Sequence, residues 1–337
     1  MNETKSAKSR HRQYLAAVLA FVFVLSAVLL FVSIWERSHD GSFTGEGDNL
    51  ESTLQYNGET YVKKNNIETV LIMGLDKYSG PIDEDAYNND KQADFLLLLV
   101  IDHDNHRYTA VHINRDTVTK VNKLGVSGNI TGSIVKQIAL AYNYGNGGLT
   151  SCRNTGDAVS DLLMGIRVDH YIAMTMDSVA AFNDLVGGVE VTVLDDFTGI
   201  DDTLVKGEKV TLMGDHALNY VRIRMGLSDS SNEARMERQR QYLKALHKKT
   251  IEVARNDDKF VIDAATQMGD CLISDYSVTR LQEVFNNISS YSFSEMRYLE
   301  GESRVGTTTF GDEAMEFIPT EASIQKIVVD LFYRLEE

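Results

Sequence analysis

Residues 14–35, YLAAVLAFVFVLSAVLLFVSIW, contain no charged side chain over 22 positions. At 1.5 Å per residue such a run spans the roughly 30 Å apolar thickness of a bilayer as one helix. It has no place in a water-soluble core of ordinary size, so the fold must be sought after it. Lys5, Lys8, Arg10 and Arg12 all precede the run, and Tyr14 and Trp35 flank it. Basic residues on one side keep that side cytoplasmic, and aromatic residues favour the interface. A cleaved signal peptide is the rival reading. No small-x-small site follows the run, and it exceeds the usual signal core, which favours an uncleaved anchor. The expected plan is a cytoplasmic tail (1–12), a transmembrane anchor (13–35), an extracellular tether rich in Gly, Ser and acids (36–58) and an extracellular domain (59–337). That places the chain in the cell membrane, single-pass, with its C-terminal domain outside.

Beyond the anchor, apolar runs and helical spacings alternate. IETVLIMGLD (67–76) and DFLLLLVIDHD (94–104) read as buried strands, the second turning through DHDNH into a strand over 108–117. Spacing predicts helices over 131–143 and 154–165, then a strand at HYIAMTM, a helix at DSVAAFNDLV and a strand at GGVEVTV. MGDHALNYVRIR reads as a short helix followed by a strand, and a long helix is expected over 231–255. Helices near 258–268, 277–289 and 320–335 and strands near 296–300 and 314–318 complete the pattern. Such alternation predicts an α/β class, as one layered α-β-α domain with a central mixed sheet. Cys152 and Cys271 are candidates for a single disulfide in an exported domain. The eight histidines form no metal-ligand spacing, so a zinc enzyme is not expected.

The chain is acidic, with a formal charge of −16, yet Arg222, Arg224, Arg235, Arg238 and Arg240 fall within one short stretch. Crowding guanidinium groups is repulsive unless an anion offsets it, and their forked geometry suits phosphate. On a strand, Arg222 and Arg224 would share a face. Ser230 and Glu233 have capping-box spacing, and on the helix behind them Arg235, Arg238, Gln239 and Tyr242 share a face. The plainer reading is a solvated basic helix laced by Glu233 and Glu237. Carboxylates at strand ends are the second signal. Asp76 closes one strand, Asp94 opens the next, and Arg115 with Asp116 closes the third. Asp76 and Asp94 could hold Mg²⁺ (or Mn²⁺) through oxygen ligands, with phosphate oxygens completing the shell. Asp116 is expected to orient Arg115. Leu96, Leu98, Leu140, Phe182 and Leu185 are either plain core or the lining of an apolar cleft. Strong negative charge and the lack of a nucleic-acid motif exclude nucleic acid as a partner.

In order, VLIMGLD, KQADFLLLLVID, HINRDT, AFNDLVGGVEV and GDHALNYVRIR with its trailing ARMERQRQYLKAL resemble the LytR-CpsA-Psr family of bacterial envelope enzymes. The resemblance covers about residues 67–255, and the anchor agrees with it. It implies a phosphotransferase that moves a glycopolymer, such as a teichoic acid or capsule chain, from polyprenyl pyrophosphate onto peptidoglycan, with a pyrophosphatase side activity. It implies catalytic roles for Asp76, Asp94 and Arg115, and metal binding by Asp76 and Asp94. It also implies pyrophosphate contacts from Arg115, Arg222, Arg224, Arg235 and Gln239, with Arg238 adjoining them. The chain departs from the family pattern at three places. Lys77 and Tyr78 follow Asp76 where arginine is usual, Gln92 stands where arginine is frequent, and Asn232 replaces an aspartate before the helix arginine. These departures keep open an alternative, a non-catalytic polyprenyl-phosphate-binding sensor or scaffold.

Overall fold

The computed structural model describes residues 50–77, 86–176, 178–256, 272–276, 291–307 and 313–336. The expected anchor, most of the tether, the expected helices near 258–268 and 277–289, and Cys271 lie outside the described residues. In chain order the strands are β1 (Thr53–Tyr56), β2 (Glu59–Lys63), β3 (Ile67–Lys77), β4 (Lys91–Asp102), β5 (Arg107–Ile113), β6 (Val118–Leu124) and β7 (Ile130–Gln137). A 3₁₀ turn (Ile138–Ala141), α1 (Leu149–Leu162), β8 (His170–Thr175), α2 (Ser178–Leu185), β9 (Val189–Thr192) and β10 (Lys209–Leu212) follow. Then come α3 (Asp215–Arg222), α4 (Asn232–Asn256), β11 (Leu272–Ser274), β12 (Ser292–Tyr298), β13 (Gly301–Thr307), β14 (Glu313–Pro319), α5 (Glu321–Phe332) and β15 (Tyr333–Leu335). The described residues divide into two compact units, one mainly 50–174 with 273–275 and 293–336, the other mainly 175–256.

The first unit is mixed α/β, built on a six-stranded sheet ordered β11-β8-β3-β4-β5-β12. Its middle is an antiparallel meander of β3, β4 and β5. The runs at 67–77 and 91–102 bury residues on both faces, as central strands with no solvent side must. One face, carrying Leu71, Met73, Leu96, Leu98, Val100, Val111 and Ile113, shares a core with Val159 and Leu162 of α1 and Val328 and Leu331 of α5. Leu96 and Leu98 are therefore plain core, at 0% exposure. Thr320 caps α5, its side chain accepting the Ser323 amide. Cys152 is buried and carries a free thiol.

Residues 131–143 are not a helix. They form β7 and the short 3₁₀ turn, and β7 pairs with β6 as a two-stranded ribbon. ITGSIVKQ holds a Gly that weakens a helix and the β-branched Ile, Thr and Val that suit a strand. In the second unit β9 and β10 form a hairpin beside α2, α3 and α4. Asn183 of α2 ties these parts, donating to Leu212 O at 2.7 Å and accepting from Tyr242 Oη at 3.1 Å.

Candidate active site

The pairing of β3 with β4 breaks register once. Gly74 pairs with Phe95 but Leu75 pairs with Ala93, so Asp94 is the extra residue of a β-bulge. Bulges re-aim side chains and collect beside active sites. Here the bulge brings Asp94 to Arg115, whose Nη1 donates to Asp94 Oδ1. Arg115 Nη2 donates to Gln92 Oε1 at 3.3 Å. Its Nε lies 3.3 Å from Asp116 Oδ1, an ion-pair distance without hydrogen-bond alignment. So Asp116 flanks and orients Arg115, as its sequence position suggests. Asp76 opposes Gln92 across the ladder and therefore lies on the face that Gln92 and Asp94 share with Arg115.

The Asn114–Thr117 turn fixes this arginine. Asn114 Oδ1 accepts the Asp116 amide at 2.9 Å, and Thr117 Oγ1 donates to Asn114 O at 2.6 Å. Backbone bonds from Ala139 N to Arg115 O and from Ile138 N to Thr117 O brace the turn from outside. The segment leading into β4 is held by Asn89. Its Nδ2 lies 2.8, 3.0 and 2.8 Å from the carbonyls of Tyr142, Asn143 and Gly145, while its Oδ1 accepts the Lys91 amide.

The arginine-rich unit is organised differently from the expectation. YVRIR is not a strand. Helix α3 continues through Arg222, and its cap residue Ile223 is extended. Ala217, Tyr220 and Val221 are its buried residues, a 3.6-residue spacing that overrides the β-branched tail. Arg222 is thus the last helical residue and exposed, and Arg224 is half-buried beyond the cap. The cap of α4 is Ser231 rather than Ser230, its Oγ accepting the Ala234 amide at 3.1 Å.

Arg235, Arg238, Gln239 and Tyr242 do share one face of α4, and that face is buried. Arg238 is 1% exposed, and its donors are committed inside the protein. Nε donates to Tyr220 O at 3.0 Å, Nη1 to Asp195 Oδ2 at 3.1 Å, and Nη2 to Ile223 O. Gln239 Nε2 donates to Val221 O at 3.1 Å. These carbonyls end α3, where the helix leaves acceptors without intrahelical partners. Arg238 and Gln239 therefore clamp the C-terminus of α3. For Arg238 this corrects the expected phosphate contact. Burial pushes its guanidinium pKa down, against the opposing charge of Asp195. Arg235 Nη2 donates to Asn232 Oδ1. Asp195, which also accepts from Ser228 Oγ at 2.6 Å, has no motif around it to mark it in sequence.

A family model described as the LytR_cpsA_psr family matches residues 33–313. The chain belongs to the LytR_cpsA_psr family. Over 255 residues it is 25% identical to the polyisoprenyl-teichoic acid–peptidoglycan teichoic acid transferase TagU of Bacillus licheniformis, covering 75% of each chain. Its fold is similar to that of Lin1025 from Listeria innocua, with TM-score 0.52, 25% identity, and coverage of 78% of this chain and 96% of that one. Against gbs0355 of Streptococcus agalactiae the TM-score is 0.60, at 20% identity, covering 79% and 86%.

Gln92 and Asn232, two of the positions where the sequence resemblance marks a departure, both bond arginines. Gln92 accepts from Arg115 where a second guanidinium would repel it. Asn232 accepts the hydrogen bond from Arg235 without a formal charge. For a divalent cation, Asp76 and Asp94 offer hard carboxylate oxygens on one sheet face, a donor set that fits Mg²⁺ or Mn²⁺. Among the described residues no three His, Cys, Asp or Glu side chains group as a metal cage, so such an ion would complete its shell from phosphate and water.

Proposed function

We propose that this chain transfers a glycopolymer from a polyprenyl pyrophosphate carrier to peptidoglycan on the outer face of the membrane, tethered by its N-terminal apolar run. The relative TagU is named as a polyisoprenyl-teichoic acid–peptidoglycan teichoic acid transferase, which supports the reading. The observation that carries the reading is the bulge-mounted Asp94 paired with Arg115, with Gln92 and Asp76 on the same sheet face.

In the reaction, an acceptor sugar hydroxyl attacks the phosphorus that bears the glycan. The bridging P–O bond breaks, polyprenyl phosphate leaves with the bond's electron pair, and the hydroxyl proton passes to a base. Charge neutralisation and alignment dominate such transfers. Arg115 meets the pyrophosphate oxygens, held in place by Asp116 and the Asn114–Thr117 turn. Asp76 and Asp94 are the groups that would hold Mg²⁺, which supplies further neutralisation of the diphosphate when bound. Asp76 or Asp94, directly or through a water on the cation, is the candidate base for the hydroxyl proton. In the arginine-rich unit Arg222, Arg224 and Arg235 remain the phosphate-contact candidates, with Gln239 and Arg238 positioning Arg222 and Arg224 through the end of α3.

The test is release of polyprenyl phosphate by the purified full-length chain in detergent, given a lipid-pyrophosphate glycan and Mg²⁺, with a chelator as control. Turnover lost with the chelator and restored by Mg²⁺ is expected. Tight binding of the lipid without turnover under any divalent ion would select the non-catalytic sensor or scaffold instead, the reading that Gln92 and Asn232 favour.

A further inference from the structure

A cavity of about 380 Å³ opens in the first unit, at the end of β4 opposite to Asp94. Asp102 closes that strand, about 25 Å from Asp94 at roughly 3.3 Å per residue. The register sets Val100 opposite Thr109 and Asp102 opposite Arg107, so these four side chains share one face of the sheet. Val100 belongs to the core that this face forms with α5, and all four line the cavity. Strand β12, beside β5, contributes Glu295 and Arg297, and the end of α5 contributes Asp330.

The floor of the cavity is held from within. Lys64 Nζ lies 3.3 Å from Asp102 Oδ2, and it donates to Asp330 O at 3.3 Å and to Leu331 O at 3.0 Å, near the end of α5. Asp102 Oδ1 accepts from Asn105 N and Nδ2 at 3.0 and 2.9 Å. The rim is different. Among the described residues the Arg107 guanidinium makes no hydrogen bond, its Nε lies 3.7 Å from Asp102 Oδ2, and its side chain is 47% exposed. Arg297 donates from Nε to Glu295 Oε1 at 2.5 Å and from Nη1 to Asp330 Oδ2 at 2.7 Å. Those bonds leave Arg297 Nη2, Glu295 Oε2 and Asp330 Oδ1 unused among the described residues. Thr109 and Ser294 add hydroxyls to the wall.

Lys64, Arg107 and Arg297 balance Asp102, Glu295 and Asp330, so the cavity is neutral within a protein of charge −16. A polyanion entering it would meet the carboxylates of Glu295 and Asp330, and a simple cation would meet two guanidinium groups. A molecule with one charge of each sign satisfies both sets. Its carboxylate would take the open fork of Arg107, and its ammonium the unused oxygens of Glu295 and Asp330. A short peptide with free termini carries both charges near pH 7, and the volume falls within the range of small-ligand pockets. We infer that this cavity is an accessory site for a short zwitterionic peptide, the peptide portion of the peptidoglycan acceptor. The choice of occupant deepens the proposed function and rests on it. At about 25 Å from the strand-end site, a bound peptide would tether the acceptor polymer while a sugar elsewhere along it reacts, and two weak contacts to one polymer reinforce each other.

The test uses full-length protein in detergent, titrated calorimetrically near pH 7 with alanyl-alanine as probe. Acetylating the amine of the probe, or amidating its carboxylate, should each weaken binding about tenfold. Arg107→Gln should erase the difference between the dipeptide and its amide. Glu295→Gln should shrink the difference between the dipeptide and its acetylated form. The blocked probes test the site on the wild-type chain even if a variant fails to fold. With a lipid-pyrophosphate donor, Arg107→Gln should raise KM for a peptide-bearing glycan acceptor at constant kcat and leave turnover of a peptide-free glycan acceptor unchanged. No detectable binding of the dipeptide would overturn the site, as would a doubly blocked dipeptide or inorganic phosphate binding as tightly. Both selectivities surviving in the folded variants would overturn it too, and an unchanged KM would overturn the acceptor as its occupant. Failure of wild type to turn over any acceptor would remove the transferase reading, while the dipeptide titration would still decide the cavity.

Discussion

Arg115 and Arg238 each face an aspartate, and there the likeness ends. The Arg115 side chain is 18% exposed, and its contacts are side chains at strand ends, Asp94, Gln92 and Asp116. Arg238 is sealed, with two of its three hydrogen bonds going to the carbonyls that end α3 and its guanidinium 5.5 Å from the Phe197 ring. A cation bound to side chains at a strand end can exchange partners when a more highly charged anion arrives. One bound to backbone carbonyls beneath a ring holds the chain in place. Residue type and a nearby acid therefore do not distinguish a ligand contact from a strut. The partner's identity and the residual exposure do.

Substitution separates the two. Arg115→Ala should lower kcat/KM by about 10³-fold or more, the scale of a guanidinium on a transferring phosphoryl group, a loss larger than any accompanying fall in Tm explains. A loss of stability in place of activity would erase the contrast. Arg238→Ala should cost about 3–5 kcal/mol by leaving Asp195 buried without its cation, read as a fall in denaturant midpoint. If that variant were as stable as wild type but inactive, Arg238 would belong with Arg115.

Asn89→Ala tests whether the strand-end site needs its brace. Loss of the bonds to Tyr142, Asn143 and Gly145 carbonyls should cost about 1–3 kcal/mol and reduce activity further than stability alone explains. A smaller effect is expected at Cys152. Burial pushes its thiol up to about 12 from 9.0, with the Asp275 charge adding to the shift. The neutral thiol is favoured in the folded state, so its contribution to stability is complete below pH 9 and declines as pH rises toward 12. Alkylation in the native protein near pH 8 should be far slower than in denaturant, and equal rates would show the core around α1 to be open.

Much of the strand-end site was legible. IETVLIMGLD and DFLLLLVID announce buried strands, and Asp76 lies near the end of β3 and Arg115 just past β5 as their positions indicate, whereas β4 already begins at Lys91 and Asp94 sits inside it at the bulge. The β7 ribbon was misread because a short run with apolar residues at 134, 135 and 138 satisfies helical spacing as well as a strand's. Asp195 was missed because it lies 43 residues from the arginine it neutralises.

Sequence alone set the α/β class, the central apolar strands and the shared face of Arg235, Arg238 and Gln239, because periodicity and burial are local properties of a chain. Tertiary structure decided that this face turns inward, that α3 continues through Arg222, and that a bulge turns Asp94 toward Arg115. Those outcomes depend on which carbonyls and carboxylates meet each donor. A polar side chain's partners are set by the folded path of the chain, while its own residue type specifies only that it must have them.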